Sequence, residues 1–252
     1  MTAVLSVEDL TVAFDGIRAA DRLSARVTSR ELVGIIGPNG AGKTTFLNLV
    51  TGYVRPQSGR VQFMEHDITG VRPHQITALG VGRSFQVPQL FTSMTVLDNV
   101  LVALSTARGG DGDLWRSLRQ DDRVRGAGAL LRDFSLDDYA DRLASELPEG
   151  GRKLLDVGLA LALEPKLLLM DEPTSGVSVE EKFAVMDTLT SVLRDSGVTA
   201  VFVEHDMEVV RRYADRVLVL SQGKMIADGT PDEVLGDLEI QRAVSGWGAG
   251  DA

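Results

Sequence analysis

The sequence predicts an α/β fold with a mainly parallel sheet, preceded by an N-terminal antiparallel β-subdomain and interrupted by an inserted helical subdomain. Three observations predict it. Short apolar runs at Leu32–Ile36, Lys166–Met170 and Thr199–Val203, separated by helical patterns, read as parallel strands buried on both faces. Before them, Val4–Leu10 and Thr11–Phe14 alternate with small polar residues like edge strands, and Asp15-Gly16 is a hairpin-type turn. Between the first run and the second, residues 94–163 show no strand pattern, and a helical insertion explains this better than a very long loop.

Composition narrows the class. With 252 residues, 44% hydrophobic and 25% charged, the chain has the make-up of an ordinary globular protein, long enough for one core and an attached subdomain. A formal net charge of -10 argues against nucleic acid as a partner, since phosphate backbones need a concentrated basic face. Cysteine is absent, which excludes disulfides, thiolate metal sites and a Cys nucleophile. The longest apolar runs fall well short of the roughly 18 residues of a membrane span. Residues 1–10 carry Glu8 and Asp9 and no charged-then-apolar leader, so a cytoplasmic location is expected.

Taken in order, the first run ends at Ile36 and is followed by Gly37-Pro38-Asn39-Gly40-Ala41-Gly42-Lys43-Thr44, then Thr45 and a helical pattern over Phe46–Val50. Strand, G-x-x-x-x-G-K-T and helix arrive in the order a phosphate-cradling loop requires. The glycines let successive N–H groups point inward, and the helix offers its positive end to the same anion. Lys43 is placed to reach the β- and γ-phosphates, and the Thr44 hydroxyl to ligate Mg²⁺. Upstream, Phe14 either stacks on an adenine ring or joins the core. Thr51-Gly52 reads as a helix C-cap, and Arg55–Gly59 as a turn into a strand at Val61–Phe63.

Ala78–Phe85 reads as a strand that delivers Gln86 to its end, where a side-chain carbonyl suits a Mg²⁺ shell. Met94–Leu104 has helical periodicity, Ser105–Gly128 is a polar, Gly-rich exposed insertion, and Leu130–Leu147 returns to helix with Ser135 and Asp138 spaced as a capping box. Leu147-Pro148-Glu149-Gly150-Gly151 opens another helix, its two glycines either admitting an anion or relieving crowding.

The run Lys166–Met170 ends in Asp171-Glu172-Pro173, two carboxylates at the C-terminal end of a buried strand, where open α/β sheets bind ligands. Asp171 is expected to bind Mg²⁺ and Glu172 to polarise the water that attacks the γ-phosphate. Glu180–Arg194 is an amphipathic helix, Thr199–Val203 a further strand, and His205 then stands in the same position class as Asp171, able to hold the γ-phosphate and the attacking water. His66 and His74 lack such a setting and read as surface residues. A hairpin at Val217–Ala227, a capped helix near Pro231–Leu235 and a frayed Gly-rich end complete the chain.

Together these segments resemble an ATP-binding subunit of an ABC transporter, from about Val4 to about Leu235. The resemblance rests on a Walker A loop (Gly37–Thr44), a Q-loop glutamine (Gln86), a signature-like Leu147–Gly151, a Walker B strand with its glutamate (Leu167–Glu172), a D-loop-like Ser175–Ser178 and an H-loop histidine (His205). Gly82–Gln86, Leu90-Phe91, Met94–Val96, Val203–Met207 and Gly229–Pro231 bring it nearest to the larger ATPase subunit of branched-chain amino acid importers; urea and short-chain amide importers have similar subunits. The resemblance implies a single ATPase domain over 4–235 with 94–163 inserted in it, and a tail over 236–252. It implies ATP and Mg²⁺ as ligands and a second ATPase subunit, with heterodimer preferred over homodimer. It further implies permease subunits, a periplasmic-type binding protein, and a place at the cytoplasmic face of the membrane.

In the resembled family the signature acts on the partner's ATP. Here Pro148 stands where that motif presents Ser, Gly151 where it often has Gln, Glu or Asp, and Val177-Ser178 where Leu-Asp or Leu-Asn is usual. The elements acting within the chain, Lys43, Thr44, Gln86, Asp171, Glu172 and His205, are intact. An asymmetric heterodimer is expected, with the site receiving Pro148, Glu149, Gly150 and Gly151 weakened.

Overall fold

The computed structural model describes residues 2–107 and 119–245. It contains a four-stranded antiparallel sheet in the order β2-β1-β4-β5 and a six-stranded sheet in the order β10-β9-β3-β8-β7-β6. The first is made of β1 (Ala3–Phe14), β2 (Ile17–Thr28), β4 (Ser58–Phe63) and β5 (His66–Asp67). The second joins β3 (Leu32–Ile36), β6 (Val81–Ser84), β7 (Leu167–Asp171), β8 (Thr199–Val203), β9 (Arg216–Ser221) and β10 (Lys224–Gly229). Its pairs are parallel except β9 with β10, which form the hairpin at one edge.

Alternation along the central strands divides the interior in two. From β3, Leu32 and Ile36 enter one cluster while Val33 and Ile35 enter the other. The same period of two sends Leu168 and Met170 of β7 one way and Leu167 and Leu169 the other. One face is covered by the antiparallel sheet and by α1 (Lys43–Val50), through Phe46, Leu47, Leu49 and Val50. The opposite face takes α5 (Glu149–Leu161), α6 (Val179–Ser196), α7 (Met207–Tyr213) and α8 (Pro231–Gly236), with α3 (Val96–Ala107) and α4 (Asp121–Asp133) packed beyond them. Both faces of the parallel strands are therefore dry, which is why they read as unbroken apolar runs.

Local signals set the helix ends. Ser178 caps α6 by accepting from the Glu181 N–H, and Gly197 ends it at φ 66. Asp206 caps α7 by accepting from the Glu208 and Val209 N–H groups. Thr230 and Glu233 form a reciprocal capping box on α8, with Pro231 at its first turn.

Several expectations need correction. The two opening strands are one, β1, kinked where Asp9 takes φ 48 and the pairing slips. A short helix, α2 (Pro73–Leu79), precedes β6, which is shorter than the strand expected over 78–85. Part of the polar stretch expected as an exposed insertion is α4; only Arg123, Ala127 and Leu131 of it are buried, a stripe one residue wide. Residues 108–118 of that stretch lie outside the described residues.

The helix expected over Leu130–Leu147 stops at Asp133, because Ser135 takes φ 56; short 3-10 turns at Asp137–Tyr139 and Ala144–Glu146 follow, and Ser135 caps nothing. The expected tail from residue 236 carries α9 (Leu238–Ser245), whose Ile240 and Val244 pack on the core. The Gly-rich end expected to fray, 246–252, lies outside the described residues. No helix among the described residues is long and apolar enough to cross a membrane.

Candidate active site

The loop between β3 and α1 is held from behind. A Cβ at Gly37 would stand 2.1 Å from the Leu220 carbonyl oxygen, and one at Gly42, at φ 100, 2.3 Å from that of Ala19. Only glycine fits at either place. The Gly223 N–H, in the β9–β10 turn, donates to the Ala41 carbonyl at 2.9 Å. Ala41 is buried against this turn, whereas Asn39, Gly40 and Thr44 are exposed and Pro38 and Thr45 half-buried. Gly42 offers α1 no capping side chain, so the helix's first N–H groups have no cap to bond.

Lys43 is buried, and its ammonium donates to the carbonyls of Gly37 at 2.7 Å and Pro38 at 3.0 Å. Burial pushes its pKa down, opposed by Glu172 and Asp171. A lysine ammonium within the field of two carboxylates and beside free helix N–H groups is a cradle for a polyphosphate.

Asp171 ends β7 in a buried position. Burial pushes its pKa up and neighbouring Glu172 adds to this, while Arg83 and the nearby Thr44 hydroxyl oppose them. Its Oδ2 meets the Arg83 guanidinium at 3.3 Å, and its Oδ1 is buried without a hydrogen-bond partner. An orphaned carboxylate oxygen beside a threonine hydroxyl fits a hard divalent cation that fills its shell with phosphate and water oxygens. No cluster of three or more His, Cys, Asp or Glu side chains suited to a metal exists among the described residues.

Glu172 is where the predicted residues converge. Its backbone takes the left-handed φ 52, fixed by an N–H bond to the Val203 carbonyl at 3.1 Å. Such a conformation costs a non-glycine residue about 1 kcal/mol and aims the side chain away from the strand direction. Its carboxylate accepts from Gln86 Nε2 at 2.6 Å and meets His205 Nε2 at 2.5 Å. The Q-loop, Walker B and H-loop positions, far apart in sequence, therefore share one carboxylate.

The signature-like segment stands apart from that cluster. Pro148 is the N-cap of α5, and among the described residues the side chains that follow bond locally, Glu149 with Arg152 and Arg152 with the Leu147 carbonyl. Gly150 and Gly151 are buried, and a Cβ on Gly150 would lie 3.0 Å from Val185 Cγ2 of α6. Phe14 is 47% exposed at the end of β1, opposite Ile17, so it is not a core residue. His66 and His74 are exposed.

Sequence reasoning missed the side chains that support these. Arg83 lies over the edge-to-face pair of the Tyr53 and Phe85 rings, 5.5 and 5.0 Å from their centres, and donates to Asn48 Oδ1 and Thr51 Oγ1 of and beside α1. Glu204 is buried, and accepts from the Thr174 N–H and hydroxyl and from the His205 N–H. Lys153 and Asp156 of α5 bind the backbone around Gln86. Their only signal in the sequence was polarity inside apolar surroundings. Beside them, a cavity of about 140 Å³ is lined by Tyr53, Ile76, Arg83 and Phe85, and one of about 250 Å³ by Phe85, Gln89, Phe91 and Val102.

Residues 20–175 match the family described as ABC transporter. The high-affinity branched-chain amino acid transport ATP-binding protein LivG of Salmonella typhimurium is 33% identical over 249 residues, 96% of this chain and 98% of that one. The corresponding protein BraF of Pseudomonas aeruginosa is 32% identical over the same shares. A solved nucleotide-free ATP-binding cassette from an ABC transporter superposes with a TM-score of 0.84 at 31% identity, covering 96% of this chain and 98% of that one. An ADP conformation of such a cassette also gives 0.84, at 30% identity and coverages of 98% and 100%.

Proposed function

The chain belongs to the ABC transporter family of ATP-binding subunits, and from that premise we propose that it powers the uptake of branched-chain amino acids. It is an ATPase of α/β fold. The cargo is carried over from the relatives: curated proteins aligned over nearly their full length bear that name. What carries the catalytic reading is a single geometry, Glu172 between Gln86 and His205 beside the Lys43 loop.

In this reading Gly37, Pro38, Asn39, Gly40, Ala41, Gly42, Lys43, Thr44 and Thr45 hold the phosphates of ATP, and Phe14 stacks on the adenine. Thr44, Asp171 and Gln86 hold Mg²⁺. Bound Mg²⁺ neutralises charge on the β- and γ-phosphates and so eases attack at phosphorus. Glu172 accepts the hydrogen bond that orients the attacking water, and His205 holds Glu172 and faces the γ-phosphate. Gln86 donates its amide to Glu172, and its side-chain carbonyl would be the group offered to a bound cation. Arg83 opposes the burial that pushes the Asp171 pKa up, and the dry surroundings of Lys43 strengthen its pull on the phosphates.

The working unit is a dimer of ATPase subunits docked on permease subunits at the cytoplasmic face of the membrane, served by a periplasmic-type binding protein. The single ATPase domain covers 4–235, with α9 packed on its core, and 94–163 form its helical subdomain. The apolar cavities around Phe85 and Phe91 support a docking surface for the permease next to Gln86. Pro148 brings no hydroxyl to the partner's ATP, so the dimer is an asymmetric one, with Pro148, Glu149, Gly150 and Gly151 facing the weaker site. Uptake of labelled leucine by cells with and without this chain tests the cargo. Transport that survives the loss of the chain, or that Glu172→Gln leaves unaltered, overturns the reading.

A further inference from the structure

Helix α5 begins at the signature-like segment, and one turn later its side chains reach into the site of its own chain. Lys153 is 3% exposed, and its ammonium has three oxygen partners from two loops. It donates to the Gln86 carbonyl in a short bond, to Ser175 Oγ at 2.9 Å and to the Glu172 carbonyl at 3.3 Å. Asp156, 7% exposed and three residues further on, accepts from the Phe85 N–H at 3.1 Å with one oxygen and from the Gln89 N–H at 2.9 Å with the other. Residues three apart lie on one helix face, so a single face of α5 holds the Gln86 loop at its middle and at both flanks.

The chemistry of both positions is demanding. A buried ammonium and a buried carboxylate each carry a large desolvation cost, which here is offset by hydrogen bonds to backbone groups that no apolar side chain can supply. Burial lowers the pKa of Lys153 and raises that of Asp156. The loop that Lys153 holds through Glu172 and Ser175 is the same one in which Glu172 sits in a left-handed conformation.

We propose that Lys153 and Asp156 are positioning residues that clamp the Gln86 loop and the Glu172–Ser175 loop to α5, so that the helix offered to the partner's nucleotide also sets the hydrolytic geometry of this chain's own site. The inference rests on the ABC ATPase reading above and extends it to residues outside its motifs. Movement of α5 at its N-terminal end is passed, through these five hydrogen bonds, to the carbonyl and amide of Gln86 and to the backbone of Glu172. The two nucleotide sites of the dimer then communicate through one helix in each subunit.

The test uses Lys153→Met, Lys153→Arg and Asp156→Asn in the full chain, alone and assembled with its partner ATPase and permease subunits. In the full chain alone, hydrogen exchange at the Phe85 and Gln89 amides should quicken by about tenfold or more in Asp156→Asn, since one of two acceptors becomes a donor. In the assembly, Lys153→Met should lower kcat by roughly 10- to 100-fold, with KM for ATP within about twofold, because the Lys43 loop is untouched. Lys153→Arg should recover part of that loss, which a mere packing role would not produce. Unchanged exchange at both amides, or a kcat for Lys153→Met within about twofold of the parent, overturns the proposal. Should Lys153→Met fail to fold, Asp156→Asn carries both measurements. A parent chain that neither binds nor hydrolyses ATP defeats the functional reading instead, and the exchange measurement then decides the clamp by itself.

Discussion

Arg83 and Asp171 form an ion pair at 3.3 Å in which the two side chains retain only 9% and 5% of their exposure. Removing one member of a buried pair leaves the other charge uncompensated, which costs more than the pair contributes. Arg83→Met should therefore destabilise the chain by about 3 kcal/mol. Adding Asp171→Asn should restore part of it, as read by urea unfolding. Arg83→Lys should not rescue, because a lysine cannot bond Asn48, Thr51 and Asp171 at once in the fork geometry seen here.

Glu172→Gln and His205→Ala remove the carboxylate proposed to polarise the attacking water and the imidazole that meets it. Each should lower the rate of phosphate release by about 100-fold or more. Binding of a fluorescent ATP analogue should stay near parental, since Lys43 and its loop remain in place. Loss of binding along with rate would assign these residues to nucleotide binding rather than to hydrolysis.

Gly42→Ala adds a Cβ 2.3 Å from the Ala19 carbonyl oxygen at a φ of 100. The left-handed backbone alone costs about 1–2 kcal/mol, and the overlap adds to it. A drop in Tm together with loss of nucleotide binding is expected. Gly16→Ala, equally left-handed but with open space around it, should lower Tm without affecting binding.

Burial pushes the Glu204 carboxyl above its ordinary value of 4.5, against the hydrogen bonds from Thr174 and His205. In the folded chain it then holds a proton at pH values where the unfolded chain has lost it. Stability from this group is greatest below 4.5 and declines as pH rises through the folded value. Glu204→Gln should flatten the fall of Tm with rising pH in that window. Thermal melts at matched ionic strength check the slope; a steeper fall in the variant would reverse the assignment.

Pro148→Ser supplies the hydroxyl that this chain lacks at the start of α5. In the assembled dimer it should raise turnover at the partner's site by about 10-fold, the order expected of one hydrogen bond made in the transition state. Single-turnover measurements on an assembly whose own Glu172 is replaced by Gln isolate that site. No increase would mean that the segment's geometry, rather than the missing oxygen, sets the rate.

What the sequence revealed and what it concealed differ in range. Leu32–Ile36, Leu167–Met170 and Thr199–Val203 were legible because both faces of these strands are buried, which leaves unbroken apolar runs. The phosphate loop was legible because its glycines, lysine and threonine are contiguous. α4 was hidden because only Arg123, Ala127 and Leu131 turn inward, and α7 because its identity lies in one cap, Asp206. Lys153, Asp156, Arg83 and Glu204 were hidden for another reason. Their partners are backbone groups and side chains far along the chain, and no local pattern encodes such a pairing.

Strand β3 hydrogen-bonds to β8 on one side and β9 on the other, and the back of the loop after it rests on Leu220 and Gly223. Both neighbours come from the last quarter of the chain. During synthesis, at about 5–20 residues per second, the phosphate loop leaves the ribosome early and waits on the order of 10–40 s for its support. The nascent chain thus cannot assemble this ATP site until nearly all of it has been translated, and a truncated product is disarmed by the order of its own strands.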